Sequence, residues 1–231
     1  MDQLNLKTEA QRYVSQHPLF KNLTPSSITE LVKSSKLHSF PKGSVLFFQN
    51  DPAEGFYLVV SGAVMILLTS PDGHELIISE MQPGDSFGEL AIITGKARST
   101  TAITHEKTVL LTIPSRVLLQ ILDKEPVLVR RLLESIARLM YVSNEREAAL
   151  AFMDAPGRMA RALRMLDQAA SSQGYITISQ EELARRTGLT RQTVAKILGR
   201  WRHLGWLLTG RGRIVLLNVA ELEKIERQPA V

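Results

Sequence analysis

The stretch from residue 87 to residue 100 combines a glycine turn, one carboxylate and one arginine. It begins with Phe87-Gly88-Glu89-Leu90-Ala91 and ends with Ala97-Arg98-Ser99-Thr100. Backbone N–H groups at the start of a short helix attract an anion, and a guanidinium pairs with phosphate through two hydrogen bonds. A carboxylate accepts a hydrogen bond from a ribose hydroxyl. These residues therefore have the chemistry that holds a ribose phosphate.

Short β-rich runs surround this stretch. They cover residues 45–48, 56–60, 63–68, 75–78 and 108–113, with glycines between or near them and a Pro71-Asp72-Gly73 turn. Strands at this regular spacing predict a compact barrel or sandwich. The apolar helix that begins near Gly88 interrupts the pattern, and an ordinary sandwich does not explain it. Two short helices, over residues 5–17 and 25–36, are predicted to precede the strands.

A long helix follows the strands. A short helix is predicted from Pro114 to about Asp123, and a longer one from Glu125 to about Phe152. Heptad spacing in the longer helix indicates pairing with a second copy, so a homodimer is expected. The alternative for part of this seam is packing against the chain's own barrel. The predicted seam is Val129, Leu132, Ile136, Leu139, Ser143, Arg146, Leu150 and Met153.

The last third of the chain is basic. Residues 154–231 hold 13 Lys and Arg against 7 Asp and Glu, whereas the whole chain of 231 residues has a net charge of +5. Such asymmetry favours a polyanionic partner for this third, the alternative being a solubilising surface. Asp154 can cap a new helix and Pro156 fits its first turn, so a domain boundary is predicted here and a helix over residues 156–170.

Residues 179–201 have the pattern of a helix–turn–helix. Ser179 and Glu182 form a capping box, Gly188 supplies the turn, and Thr190 caps the second helix. Helical spacing directs Val194, Ile197, Leu198 and Trp201 inward. It directs Arg191, Gln192, Ala195 and Lys196 outward, which places polar and basic side chains where a helix reads the major groove. Thr187 stands where an aliphatic residue is more usual.

A hairpin is predicted after the second helix. Strands over residues 206–208 and 214–217 flank a turn over residues 209–213, which carries two arginines suited to phosphate contacts. The alternative is a small helical domain with a basic surface. The predicted DNA contacts are Ser179, Gln180, Thr190, Arg191, Gln192, Thr193, Lys196, Arg200, Arg211 and Arg213.

Taken together, residues 15–218 resemble the cyclic-AMP receptor protein/FNR family of bacterial transcription regulators. The resemblance implies an α+β fold with an N-terminal antiparallel β-roll that binds a cyclic nucleotide, a dimerisation helix and a C-terminal winged helix-turn-helix. The corresponding domains are residues 1–124, 125–153 and 154–231. It also implies a homodimer on double-stranded DNA with an inverted-repeat operator, and RNA polymerase as a partner.

Ligand roles follow from the resemblance residue by residue. Glu89 matches the residue that binds the ribose 2′-hydroxyl, and Arg98 with Ser99 matches the pair that binds the cyclic phosphate. The backbone at Gly88 and Leu90 assists, and Ala91 and Thr100 flank the site. Two polar residues of the long helix, Ser143 and Asn144, match those that reach the purine. The expected ligand is cyclic AMP, with cyclic GMP possible as well. The alternative is a regulator that binds no cyclic nucleotide, in which Glu89 and Arg98 form a structural salt bridge.

The recognition helix departs from the receptor's pattern. The receptor has Arg-Glu-Thr-Val-Gly-Arg where this chain has Arg-Gln-Thr-Val-Ala-Lys over residues 191–196. Gln192 favours adenine, whereas a glutamate accepts from the cytosine amino group. Lys196 reads guanine with less geometric constraint than arginine. The operator is therefore expected to be related to the receptor's but not identical.

The sequence does not favour a metal, haem, iron–sulfur or catalytic site. The chain has no cysteine, which excludes disulfides, thiolate-bound iron–sulfur clusters and cysteine zinc sites. Its five histidines are scattered without the paired spacing of a haem or metal site. No cluster of metal ligands and no nucleophile with a base suggests an enzyme. With no secretory signal and no apolar run of membrane-spanning length, a cytoplasmic protein without a membrane partner is expected.

Overall fold

The computed structural model describes residues 3–170 and 173–227. The chain forms two compact units, Met1–Gly73 with Ile77–Leu139 and His74–Leu76 with Met140–Val231. No helix in the described ranges is both long enough and apolar enough to cross a membrane.

Helices open the first unit, as predicted. They are α1 (Gln3–Gln16), a 3-10 helix (Pro18–Phe20) and α2 (Pro25–Ser34). His17 caps the 3-10 helix because its Nδ1 accepts from the Leu19 N–H at 3.2 Å. Thr24 caps α2, and Pro25 occupies the first turn, where the missing N–H costs nothing.

Two four-stranded sheets form the β-roll of this unit. Its strands are β1 (Lys36–Phe40), β2 (Val45–Phe47), β3 (Gly55–Ser61), β4 (Val64–Thr69), β5 (Glu75–Met81), β6 (Ser86–Phe87), β7 (Thr101–Thr104) and β8 (Thr108–Pro114). The strand orders are β1-β8-β3-β6 and β2-β7-β4-β5. All five predicted strands are confirmed. The three missed strands carry fewer consecutive apolar residues than the predicted ones, so local periodicity does not reveal them.

The core of the first unit joins the roll to its helices. Phe56, Leu58, Leu111 and Ile113 of β3 and β8 are fully buried. They belong to one cluster with side chains from α4 (Ser115–Leu122) and α5 (Pro126–Phe152). Both of these helices were predicted, and α3 (Glu89–Thr94) interrupts the strands after β6, as the glycine turn indicates.

The predicted seam of α5 is wrong at one position, and a second seam residue is only partly exposed. Leu132 is 2% exposed within the core of the first unit, and the partly buried Leu139 packs against a second buried cluster, which side chains of strands β2 to β8 form. The alternative, packing against the chain's own barrel, holds for these two side chains. Among the large apolar side chains that α5 leaves exposed, Val129, Leu133 and Met140 lie next to these two along the helix and are 45%, 65% and 60% exposed. A heptad pattern does not distinguish two neighbouring apolar stripes, because both have helical spacing.

The second unit begins at the predicted break. The Asp154 carboxylate accepts from the Gly157 N–H at 2.8 Å and caps α6 (Ala155–Ala169). The other elements are β9 (Ile176–Thr177), α7 (Gln180–Thr187), α8 (Arg191–His203), β10 (Leu207–Gly210), β11 (Arg213–Leu216) and α9 (Val219–Glu226). The sheet order is β10-β11-β9.

Two details of the second unit differ from the predictions. The hairpin turn contains only Arg211 and Gly212, because residues 209, 210 and 213 join the strands. Helix α9 was not predicted and lies beyond the residues that carry the resemblance. Its acidic side chains hold α6, since Arg164 forms ion pairs at 2.7 Å with both Glu223 and Glu226.

Candidate ligand and nucleic-acid sites

The glycine turn between β6 and α3 is required by close packing. Gly88 has φ = 91°, a left-handed conformation that suits glycine. A Cβ at this position would lie 2.7 Å from the Arg98 Nη1 atom. Any side chain here would therefore displace the arginine, and the turn holds Arg98 beside the start of α3.

Glu89 is the first residue of α3 and is almost entirely buried. The residue is 5% exposed, and its Oε2 atom has no hydrogen-bond partner within the part of the chain that the structure describes. Burial raises the pKa of Glu89 above its ordinary value, and a backbone hydrogen bond and the charge of Arg98 offset part of this effect. An unsatisfied buried carboxylate destabilises a protein, so its presence calls for a ligand or partner.

Arg98 is buried beside the same turn. Its Nη1 donates to the Gly88 carbonyl at 2.7 Å and its Nη2 to the Gly55 carbonyl at 2.5 Å. The guanidinium lies over the Phe47 ring, 4.2 Å from its centroid. Its Nε atom has no hydrogen-bond partner among the described residues. Burial lowers the pKa of Arg98, although the neighbouring Tyr57, Glu89 and Asp51 act in the opposite direction and favour its charged form.

The structural salt bridge considered as an alternative does not form. Glu89 and Arg98 have no nitrogen–oxygen contact within 4.0 Å among the ion pairs of the described residues. Each keeps one buried polar atom unsatisfied, an acceptor on Glu89 and a donor on Arg98. A ribose phosphate supplies the complementary pair, because its hydroxyl donates and its phosphate accepts. The two side chains therefore fit the nucleotide that the sequence predicts.

The remaining predicted ligand residues divide into two groups. Leu90 is exposed, Ala91 is buried, Ser99 is exposed and Thr100 is half-buried, all within the segment that contains Glu89 and Arg98. Ser143 and Asn144 are exposed on α5. Their contact with a purine stays a prediction. Phe47 and Tyr57, which flank the Arg98 guanidinium, were not predicted, because strands distant in sequence bring them there.

The helix–turn–helix has the caps that the sequence predicts. The Ser179 hydroxyl accepts from the Glu182 N–H and the Thr190 hydroxyl from the Thr193 N–H, both at 3.1 Å. Gly188 ends α7 with φ = 64°. Thr187 is buried, and its hydroxyl donates to the Leu183 carbonyl at 2.7 Å. This hydrogen bond explains how a polar residue occupies an apolar position.

One face of α8 presents polar and basic side chains. Arg191, Gln192 and Lys196 are exposed near its N-terminus, Arg200 is exposed one turn later, and Thr193 is half-buried. Val194, Ile197, Leu198 and Trp201 are buried on the other face, which confirms the predicted orientation. Ser179 and Gln180 are exposed at the start of α7, and Thr190 is exposed at the start of α8. Base and phosphate contacts by these residues stay predictions.

Arginines also occupy the β10–β11 hairpin. Arg211 is exposed in the two-residue turn, and Arg213 is exposed at the start of β11. The Arg213 guanidinium lies 4.7 Å from the centroid of the Tyr175 ring. Such stacking restrains the arginine and leaves its N–H groups available. Tyr175 was not singled out from sequence, because it comes before β9 and reaches Arg213 only through the β9–β11 pairing.

Known proteins match both units. A family model described as a cyclic nucleotide-binding domain matches residues 37–125, and one described as a Crp-like helix-turn-helix domain matches residues 157–225. The CRP-like cAMP-activated global transcriptional regulator of Mycobacterium tuberculosis is 32% identical over 209 residues, which covers 88% of this chain and 93% of that protein. The cyclic AMP receptor protein of Thermus thermophilus is 29% identical and covers 90% and 96%.

A solved structure of the same family has a similar fold. A CRP-family transcriptional regulator from Thermus thermophilus superimposes with a TM-score of 0.70 at 28% identity, covering 83% of this chain and 97% of that one. The α+β fold, with its β-roll, long helix and winged helix-turn-helix, is thus shared. The chain belongs to the CRP/FNR family of DNA-binding transcription regulators, with a cyclic nucleotide-binding domain.

Proposed function

We propose that this chain is a homodimeric transcription regulator whose DNA binding is gated by a cyclic nucleotide, and that the nucleotide is cyclic AMP. The observation that carries the proposal is the pair of unsatisfied buried atoms, Glu89 Oε2 and Arg98 Nε. Relatives that are named as cAMP-activated or as a cyclic AMP receptor support the choice of ligand.

Arg98 and Glu89 divide the recognition of the nucleotide. Arg98 carries the positive charge for the cyclic phosphate, and its stacking on Phe47 restrains the guanidinium plane. Glu89 accepts a hydrogen bond from the ribose 2′-hydroxyl. Each interaction satisfies a group that is otherwise buried without a partner. Ligand binding therefore removes a free-energy penalty that is present in the free protein.

The exposed stripe of α5 is the proposed dimer seam. Val129, Leu133 and Met140 follow one another at spacings of four and seven residues, which keeps them on one face of a helix. Ser143 and Asn144 lie three and four residues after Met140, so they continue this face. A purine bound near the seam then meets a hydroxyl and an amide, from one or both copies.

Two copies give two recognition helices. On an inverted repeat, Arg191 and Gln192 of each α8 read base edges, while Lys196 and Arg200 extend the contact. The hairpin arginines and the hydroxyls at the two caps bind phosphates. The nucleotide shifts the dimer toward a spacing of the helices of about one DNA turn, ~34 Å, because it binds that arrangement more tightly. RNA polymerase is the expected partner at the promoter.

Calorimetric titration tests the ligand, with Arg98→Gln as the variant and Arg116→Gln as the control. Arg116 is an exposed arginine of α4, so its substitution removes the same charge outside the proposed site. We expect saturable binding of cyclic AMP by the parent and the control, weaker binding of cyclic GMP, and loss of at least tenfold in affinity for Arg98→Gln. Equal affinity of Arg98→Gln and the parent would overturn the proposal.

A constitutive or other-ligand regulator is the second candidate. It is favoured by the two hydrogen bonds that Arg98 donates to backbone carbonyls, because these stabilise the fold without a ligand. Fluorescence anisotropy with labelled operator DNA separates the two candidates. Cyclic AMP should raise operator affinity at least tenfold for the gated regulator and leave it unchanged for the constitutive one.

A further inference from the structure

A second group of arginines surrounds a cavity in the second unit. The cavity has a volume of about 110 Å³, and its lining includes Arg146 of α5, Arg158 and Arg161 of α6, and Arg186 of α7. We call it the arginine pocket. We propose that the arginine pocket binds a phosphate group, as the free anion or as the phosphate of a small metabolite.

Two of these guanidinium groups are unsatisfied. The Arg146 Nη1 and Arg158 Nε atoms are buried and have no hydrogen-bond partner in residues 3–170 and 173–227. A guanidinium remains charged in proteins and presents donors only, so each such atom needs an acceptor. Arg146, Arg161 and Arg186 line the same pocket, and the pKa of Arg146 is lowered by burial and further by the like charges of the other two.

The carboxylates nearby account for only part of this charge. Glu145 pairs with Arg161 at 3.0 Å, and Glu182 pairs with Arg186 at 2.9 Å. Arg146 and Arg158 have no carboxylate within 4.0 Å among the ion pairs of the described residues. Two positive charges therefore remain, and a dianion balances them. Phosphate near neutral pH carries about this charge.

The size and geometry of the arginine pocket also suit phosphate. With a volume of about 110 Å³, the pocket has room for a phosphoryl group. Planar guanidinium groups bind phosphate oxygens through paired N–H donors. Helices α5, α6 and α7 each contribute at least one arginine, so a bound phosphate would join three helices of the second unit.

Binding of inorganic phosphate to the full-length chain provides the test, by calorimetry without DNA and at constant ionic strength. The variants are Arg146→Gln and Arg158→Gln, and the control is Arg116→Gln. Arg98→Gln is included to separate the arginine pocket from the cyclic nucleotide site. We expect one phosphate per chain for the parent, the control and Arg98→Gln, and at least tenfold weaker binding for the two pocket variants.

Thermal unfolding gives a second readout. Phosphate should raise the Tm of the parent by several degrees over an equal ionic strength of chloride, and this difference should vanish in both pocket variants. Glucose 6-phosphate in place of inorganic phosphate distinguishes the source: equal or tighter binding assigns the phosphate of a metabolite, and binding of inorganic phosphate alone assigns the free anion. The proposal fails if the pocket variants bind phosphate like the parent, or if no saturable binding is found.

Discussion

Replacing Glu89 by glutamine should stabilise the free protein and impair its response to ligand. The carboxylate of Glu89 is buried with Oε2 unsatisfied, and burial raises its pKa. The folded protein therefore holds the charged form less well than the unfolded chain does. Glutamine keeps the shape of the side chain and removes the charge, so the cost of burying it disappears.

The magnitude follows from removal of the buried charge. Leaving a buried polar group without a partner costs about 1–3 kcal/mol and a charged group costs more, so we expect Glu89→Gln, which keeps a polar group but removes its charge, to recover roughly 1 kcal/mol near neutral pH. For a chain of this length that corresponds to a rise in Tm of about 2–4 °C. A hydrogen bond to a charged group contributes about 1.5–3 kcal/mol, so its loss weakens cyclic AMP binding by roughly 10- to 150-fold.

The raised pKa of Glu89 also determines how the stability difference between Glu89→Gln and the parent depends on pH. Because the pKa of Glu89 is higher in the folded than in the unfolded state, the penalty is absent below the unfolded value of about 4.5. It develops as pH rises from there through the folded pKa. The difference in stability between Glu89→Gln and the parent should therefore be near zero at low pH and largest near neutral pH.

Thermal unfolding at several pH values and calorimetry with cyclic AMP measure both effects. Glu106→Gln, at an exposed carboxylate, is the control and should change neither Tm nor affinity. A Glu89→Gln protein that is less stable than the parent near neutral pH would refute the argument from burial. A Glu89→Gln protein that binds cyclic AMP as tightly as the parent would refute the assigned role in ligand binding.

Three further substitutions test other parts of the molecule. Leu133→Glu places a charge on the exposed stripe of α5 and should convert the dimer to a monomer, as measured by sedimentation. Leu119→Glu, at an exposed leucine of α4, is the control and should leave the dimer intact. Equal dimerisation of the two variants would contradict the proposed seam. Burial lowers the pKa of His17, so stability should fall as pH drops below about 6.5, and His17→Gln should flatten this part of the Tm profile. Gln192→Glu should shift operator preference from adenine toward cytosine at one position of each half-site, as measured by competition with variant operators.

Local signals accounted for most of the elements. Ser179, Thr190 and Asp154 cap helices as predicted because a capping hydrogen bond joins residues only three positions apart. Gly88 and Gly188 have positive φ values where the sequence predicts turns. The outward face of α8 follows from helical periodicity alone. Each of these features depends on neighbours in the chain, so the amino-acid sequence is sufficient to predict it.

Contacts between distant segments were decided only by the tertiary structure. The sequence indicated that Glu89 and Arg98 act together, but it left open whether they pair with each other, and only the fold holds them apart with one unsatisfied atom each. Periodicity likewise did not assign Leu132 to the chain's own core, because that depends on where the β-roll lies against α5. The arginine pocket has no local signal at all, since its arginines come from three helices and meet only when these pack.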